Sequence, residues 1–248
     1  MATYYSNRPI VTDGLGLFLD ASNPKSYPGT GNEWYDLSGN NFHMKLFGPA
    51  SQSLASASND SFFKYFDLDG VAGTYGACDG SISNSVACIP ANFVSGNDSR
   101  SVVSLVQVNT DPPGSLSGGV YDYGDFGLQG RHYCLRLLNS TTNWRAQLWG
   151  SPDYDFTYDT TTKFTMFSMG YGLSNIGKTY RDNGILLGQD SGQEELATAG
   201  TRPFEMGRYG SGPSYFGGKI GLLMFYTKEL TPEELAQNYY ALRHRWEI

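Results

Sequence analysis

Residues 14 to 41 read GLGLFLDASNPKSYPGTGNEWYDLSGNN, and this stretch decides the fold. The apolar run Leu15 to Leu19, broken by Gly16 and closed by Asp20, is too short and too rich in Gly for a helix, so it reads as a buried strand. Pro24, Pro28, Gly29 and Gly31 punctuate the long loop that follows. Trp34, Tyr35 and Leu37 give that loop an apolar anchor, so it should pack down onto the body. Asp36 to Asn41 then turns the chain, because Asp and Asn can bond their own backbone and Gly39 supplies a positive φ.

Composition agrees with a β domain. A chain of 248 residues can form one large sandwich or barrel, and 17% charged residues, 31 Gly and 18 Tyr suit short strands joined by turns better than a helical bundle. The net charge of −7 repels phosphate backbones and anionic lipid, so neither nucleic acid nor a membrane is expected as a partner. No apolar run reaches membrane-spanning length, and the polar start MATYYSNRPIVTD lacks the regions of a secretory leader, so folding in the cytosol is expected. Cys78, Cys88 and Cys134 have no metal-like or redox spacing and read as small buried apolar side chains.

Outward from the opening stretch, residues 1 to 12 form an extended arm carrying Tyr4, Tyr5, Arg8 and Pro9. The arm is either a tether to a partner or a strand end packed on its own domain. Residues 13 to 248 form one domain. Ala50 to Asp60 is a polar surface loop, and the aromatic run from Phe62 ends as a strand at the Asp69-Gly70 turn. Ser101 to Val108 is a clear strand, with Val103 and Leu105 on one face and Val102, Val106 and Val108 on the other. Further strands are expected at Gly119 to Tyr123, His132 to Leu138, Trp144 to Trp149 and Lys163 to Tyr171. Lys178 to Leu187 is a hairpin whose Asn183-Gly184 pair should supply two positive φ angles. Phe216 to Tyr226 is apolar on both faces and so a central strand. A helix closes the chain: Thr231 and Glu234 form a capping box, Pro232 opens it, and Leu235, Tyr239, Leu242 and Trp246 share one face.

The opening residues Gly14, Leu15, Leu17, Leu19, Asp20, Ala21, Asn23, Pro24, Ser26, Tyr27, Pro28, Gly29, Gly31, Trp34, Asp36 to Asn40 and Leu46 match an ordered pattern. That pattern resembles the concanavalin A-like lectin/glucanase superfamily, in the laminin-G-like form found in virion structural proteins of tailed bacteriophages. The closing residues Tyr226, Leu230, Thr231, Glu234, Leu235, Gln237, Asn238, Tyr239, Ala241 and Arg245 resemble the same family's last strand and helix. The resemblance implies an all-β antiparallel jelly-roll sandwich with one C-terminal α-helix. It also implies a bacteriophage virion, assembled in the host cytoplasm, with other capsid or tail proteins as partners; a homo-oligomer is expected as well. The fold itself hosts enzymes, sugar binders and inert modules.

Glucanases of the superfamily carry a Glu-x-Asp-x-x-Glu strand, because two carboxylates must face one sugar ring about 5–5.5 Å apart in a retaining enzyme. None of the eight Glu residues begins that spacing, and no Gly-x-Ser-x-Gly elbow is present. The expectation is therefore a non-enzymatic structural module on head or tail, with no cofactor. A carbohydrate-binding adhesin is the alternative, with Tyr121, Tyr123, Trp149, Tyr154, Tyr158, Tyr209 and Tyr215 as a stacking platform for a host glycan; the same aromatics could instead fill the core or an interface. Asp122, Asp125, Asp153 and Asp155 are either calcium ligands, as in relatives that hold calcium at a loop end, or a solvated acidic loop.

Overall fold

Short runs of alternating apolar residues, each closed by Gly, Asn, Asp or Pro, form the strands. The computed structural model describes residues 9–48, 55–56, 64–71, 73–109, 117–148, 153–172, 174, 176–190, 195–210 and 214–246. In chain order the strands begin with β1 (Leu15–Asp20), β2 (Glu33–Trp34), β3 (Met44–Phe47), β4 (Ala55–Ser56), β5 (Lys64–Asp69) and β6 (Tyr75–Ala77). The middle of the chain supplies β7 (Arg100–Val108), β8 (Gly119–Gly124), β9 (His132–Leu137), β10 (Asn143–Gln147), β11 (Tyr154–Thr157) and β12 (Thr165–Tyr171). Then follow β13 (Gly177–Arg181), β14 (Ile185–Gln189), β15 (Glu205–Met206), β16 (Arg208–Tyr209), β17 (Ser214–Tyr215), β18 (Gly217–Tyr226) and the helix α1 (Pro232–Trp246).

These strands build an antiparallel jelly-roll β-sandwich with one C-terminal helix. The first sheet runs β14-β13-β12-β7-β18-β5-β4, with β1 also paired to β18; the second runs β11-β10-β9-β8-β15-β6-β3-β2. β18 is the hub of the first sheet. One edge pairs with β7, while the other pairs first with β5 at Gly217–Ile220 and then with β1 at Leu222–Tyr226. Between Ile220 and Leu222 the register shifts by a bulge at Gly221. That extra residue moves Leu222, Met224 and Tyr226 to the outer face, while Ile220, Leu223 and Phe225 face the second sheet. The expectation of a strand covered on both sides holds. β7 divides in the same way, with Val102, Val106 and Val108 inside and Val103 and Leu105 outside.

The outer face of the first sheet is covered by α1. Thr231 and Glu234 cap the helix reciprocally, at 3.0 and 3.3 Å. Leu235 and Leu242 are buried on the sheet, Tyr239 is partly buried there, and the Trp246 side chain lies outside the described residues. The apolar stripe also hides a polar residue. Asn238 is fully buried, accepts from Val11 N–H at 2.8 Å and donates to Tyr226 Oη at 3.1 Å. The Tyr226 hydroxyl in turn donates to Val11 O at 3.0 Å, and Gln237 donates to Pro9 O at 2.8 Å. The described end of the arm is thus strapped to its own helix, while Tyr4, Tyr5 and Arg8 lie outside the described residues.

The opening loop is organised by Asp36. Its carboxylate accepts from the backbone of Phe18, Ser38 and Phe42 and from the Ser38 hydroxyl, at 2.7–3.2 Å. The loop packs down as expected, but its buried anchors are Tyr27 and Trp34, both set edge-on to Phe66; Tyr35 and Leu37 are only half-buried. Two other expectations are corrected. Residues 55–56, placed in a surface loop by their polarity, pair with the edge of β5. In the β13–β14 hairpin the positive φ angles fall on Asp182 and Gly184, not on Asn183. Asp182 N–H is held by Met166 O at 2.7 Å, and the backbone of Pro232 leaves no room for a side chain at Gly184.

Candidate functional site

Strand alternation sends half of each strand of the second sheet outward, and the outward set is polar and aromatic. Across β9, β10 and β11 one register row reads Arg136, Arg145, Asp155. Arg145 grips Asp155 through Nε at 2.7 Å and Nη2 at 3.0 Å. That contact holds the Asp155 carboxyl below its usual range. The adjacent row reads Glu205, Asp122, Cys134, Gln147.

A flap covers part of this face. β16 and β17 pair with each other and lie across β8, and two glycines make room for them. A Cβ on Gly119 would sit 2.7 Å from Arg208 O, and one on Gly118 would sit 2.1 Å from the backbone of Tyr215 and Phe216. From the flap, Tyr209 sets its ring 4.2 Å from the Arg136 guanidinium carbon and meets Phe126 edge-on at 5.2 Å. Burial pushes the Tyr209 phenol up to about 12. Glu205 is clamped by Arg202 at 2.7 Å and by Arg208, and Arg208 lies 4.1 Å over Tyr75, which stacks on Phe47 at 4.6 Å. A rigid, charged and aromatic surface results.

The sequence-derived site residues divide between core and surface. Tyr121 and Tyr123 are fully buried and cannot meet a ligand. Both point inward from β8: Tyr121 stacks near Phe204 at 5.8 Å, and Tyr123 donates to Val94 O at 2.8 Å. Tyr154 points inward to Thr179, with 2.7 Å between the hydroxyls, and Tyr158 packs against the core beneath Arg181. Trp149 lies outside the described residues. Tyr209 and Tyr215 are the two that the flap brings onto the outer face.

The four aspartates do not converge into a calcium site among the described residues. Asp125 faces Arg131 at 3.8 Å, Asp153 accepts from Leu148 N–H at 2.7 Å, Asp155 holds Arg145, and Asp122 is buried. The metal-type donors that do lie together are Asp122, His132 and Cys134, all buried. Asp122 is already engaged there: His132 Nε2 lies 2.6 Å from Oδ1, Gly210 N–H donates to Oδ2 at 2.5 Å, and Arg202 is 3.9 Å away. Burial works to raise the Asp122 pKa, but His132, Arg202 and Gly210 outweigh it and hold the carboxylate below its ordinary value. Burial, aided by Asp122, pushes the Cys134 thiol well up. The group fits a closed hydrogen-bonded network better than a metal centre.

Arg136, Arg145 and Gln147 were not singled out from the sequence. Their signal was a polar residue at every second position of β9 and β10. A second concavity, of about 340 Å³, lies beside β1 and is lined by Thr12, Gly16, Asn40, Phe42, Asn92 and Phe93. Its amide nitrogens are spent on the fold, with Asn40 donating to Gly16 O and Asn92 to Ala87 O.

No protein-family model and no curated protein matches the chain. Solved structures do match. What they share with this chain is the antiparallel β-sandwich fold. Trypanosoma rangeli sialidase in complex with the inhibitor DANA aligns with TM-score 0.62 and 16% identity, over 96% of this chain and 36% of that one. Domain 4 of AbnA, an extracellular arabinanase of Geobacillus stearothermophilus in complex with arabinotriose, aligns with TM-score 0.58 and 18% identity, over 91% of this chain and 98% of that domain. The receptor-binding domain of the botulinum neurotoxin C/D mosaic serotype aligns with TM-score 0.60 and 17% identity, over 92% of this chain and 51% of that one. The chain therefore spans about a third of the sialidase and about half of the toxin domain, but nearly all of the arabinanase domain.

Proposed function

We propose that this chain is a carbohydrate-binding β-sandwich module and that glycan lies on the outer face of the second sheet, beside the flap. The observation that carries the reading is the row Arg136, Arg145, Asp155 flanked by Tyr209 and Gln147. Planar charged groups bridge pairs of sugar hydroxyls, and the aromatic flap supplies apolar contact to the ring. Support comes from the arabinanase domain, a unit of matching extent whose structure holds arabinotriose.

The module binds and does not cleave. Asp155, Glu205 and Asp122, the acids of this face, are each held by a cationic or imidazole partner, which leaves them poorly placed for general acid and nucleophile roles. Attachment to a virion is a finer expectation, carried by the resemblance of the opening and closing motifs alone. An adhesin displayed on a particle would reconcile it with glycan binding.

The test is a glycan array followed by calorimetry on the 248-residue chain. Tyr209→Ala should weaken glycan binding roughly tenfold or more, the scale of losing one aromatic contact and its ordered neighbours. Tyr123→Phe, a core change, should leave affinity within about twofold. Absence of binding to any glycan, or a Tyr209→Ala variant of full affinity, overturns the proposal.

A further inference from the structure

The outward row on β9, β10 and β11 carries an unbalanced charge. Arg136 and Arg145 are direct cross-strand partners, and Arg145 is in turn partnered by Asp155. Asp155 answers Arg145 with both of its oxygens. The Arg136 side chain has no ion-pair or hydrogen-bond partner among the described residues: its Nε is buried and unbonded, and its head rests against the Tyr209 ring. Like charges directly opposite each other on neighbouring strands destabilise a sheet. Burying an unbonded guanidinium nitrogen adds to that cost. Asp155 lies within electrostatic reach of Arg136 as well, but its two oxygens are bonded to Arg145, and among the described residues no carboxylate pairs with the Arg136 head.

A guanidinium offers a planar fork of donors that matches a carboxylate. We infer that the ligand of this face carries a carboxylate, as a uronic or sialic acid residue does, and that Arg136 receives it while Arg145 is kept in place by Asp155. This inference rests on the glycan-binding reading above and names its ligand class. The carboxylate supplies Arg136 with the ion-pair partner it lacks, and the Tyr209 ring backs the Arg136 head. Arg145, with Nε and Nη2 held by Asp155, keeps its remaining N–H groups for hydroxyls.

The experiment is calorimetry on the full chain with two matched pairs of probes: trigalacturonate against its methyl ester, and 3′-sialyllactose against lactose. In at least one pair the acid binds about tenfold tighter or more than its neutral partner, the scale of a charge-assisted hydrogen bond. The pair that shows the preference tells uronate from sialate. Arg136→Gln abolishes the preference, bringing the acid within about twofold of its neutral partner. The same variant melts no lower than the wild type at low salt, because it relieves the Arg136–Arg145 repulsion, so lost binding is not lost folding. Arg136→Lys, which keeps the charge and loses the fork, falls between the two. Equal binding of acid and neutral probes, or a preference that survives Arg136→Gln, overturns the inference and leaves the glycan-binding reading standing. Failure to bind any of the four probes overturns the inference, and the glycan array then decides whether the glycan-binding reading stands.

Discussion

The most demanding single residue is Asp122, an ionised acid with no exposed surface to speak of, sharing His132, Gly210 N–H and Arg202. Its folded pKa lies below the ordinary 3.8, so its ionised form adds stability above about pH 4, and that stability is lost as pH falls through the lowered folded value. Asp122→Asn should cost on the order of 2 kcal/mol at pH 7, the scale of hydrogen bonds to a charged group. Urea midpoints at pH 7 and pH 3 check both parts: the gap between wild type and variant should shrink at the lower pH. Residue parity was also the hardest thing to read in the sequence. Tyr121, Tyr123 and Tyr209 look alike as aromatics among turns, yet two face the core and one faces out, because a one-residue change of register exchanges the faces of a strand. Arg136 poses the same difficulty, since its alternation with Leu135 and Leu137 marks an outward side chain but names no partner for it.

At the scale of elements, the helix and the hub strand were legible because their signals are local. Thr231, Pro232 and Glu234 mark a helix start through backbone chemistry alone, and a strand apolar on both faces can only be central. Contacts between distant elements were not. Asn238 sits on the apolar stripe of α1 and joins it to Val11, a partner 227 residues away. Asn238→Ala should cost roughly 1–3 kcal/mol, because Val11 N–H is left buried without an acceptor. Hydrogen exchange at Val11 should accelerate in that variant while β7 stays protected. The flap depends likewise on a glycine that sequence reading treats as an ordinary strand end. Gly119→Ala places a methyl 2.7 Å from Arg208 O, so β16 must lift. The expected cost is about 1–3 kcal/mol, with a loss of glycan affinity larger than that of Tyr123→Phe. Calorimetry on both variants decides it.

For the whole molecule, two cores rather than one carry the fold: an aromatic-rich layer between the sheets and a smaller one between the first sheet and α1. Among the described residues the outer face of the second sheet has no helix over it and carries the short flap, and it is there that the charged row gathers. Fold class was readable from the two terminal motifs because they encode the opening loop and the closing strand. The proposed binding face was not, because it is assembled from β9, β10, β11 and β16, whose mutual register no local signal fixes.

β1 and β18 are paired so that Leu15 lies opposite Tyr226 and Asp20 opposite Leu222. The chain enters β1 and leaves β18 at the same end of that ladder. Tension applied near residues 12 and 228 would therefore peel the pair open one rung at a time, whereas a pull between residues 22 and 228 would load all its rungs together in shear. Optical tweezers with handles at those positions should find the first geometry yielding at clearly lower force. The β1–β18 seam is therefore weak against a pull from residues 12 and 228 and strong against one that slides the two strands past each other.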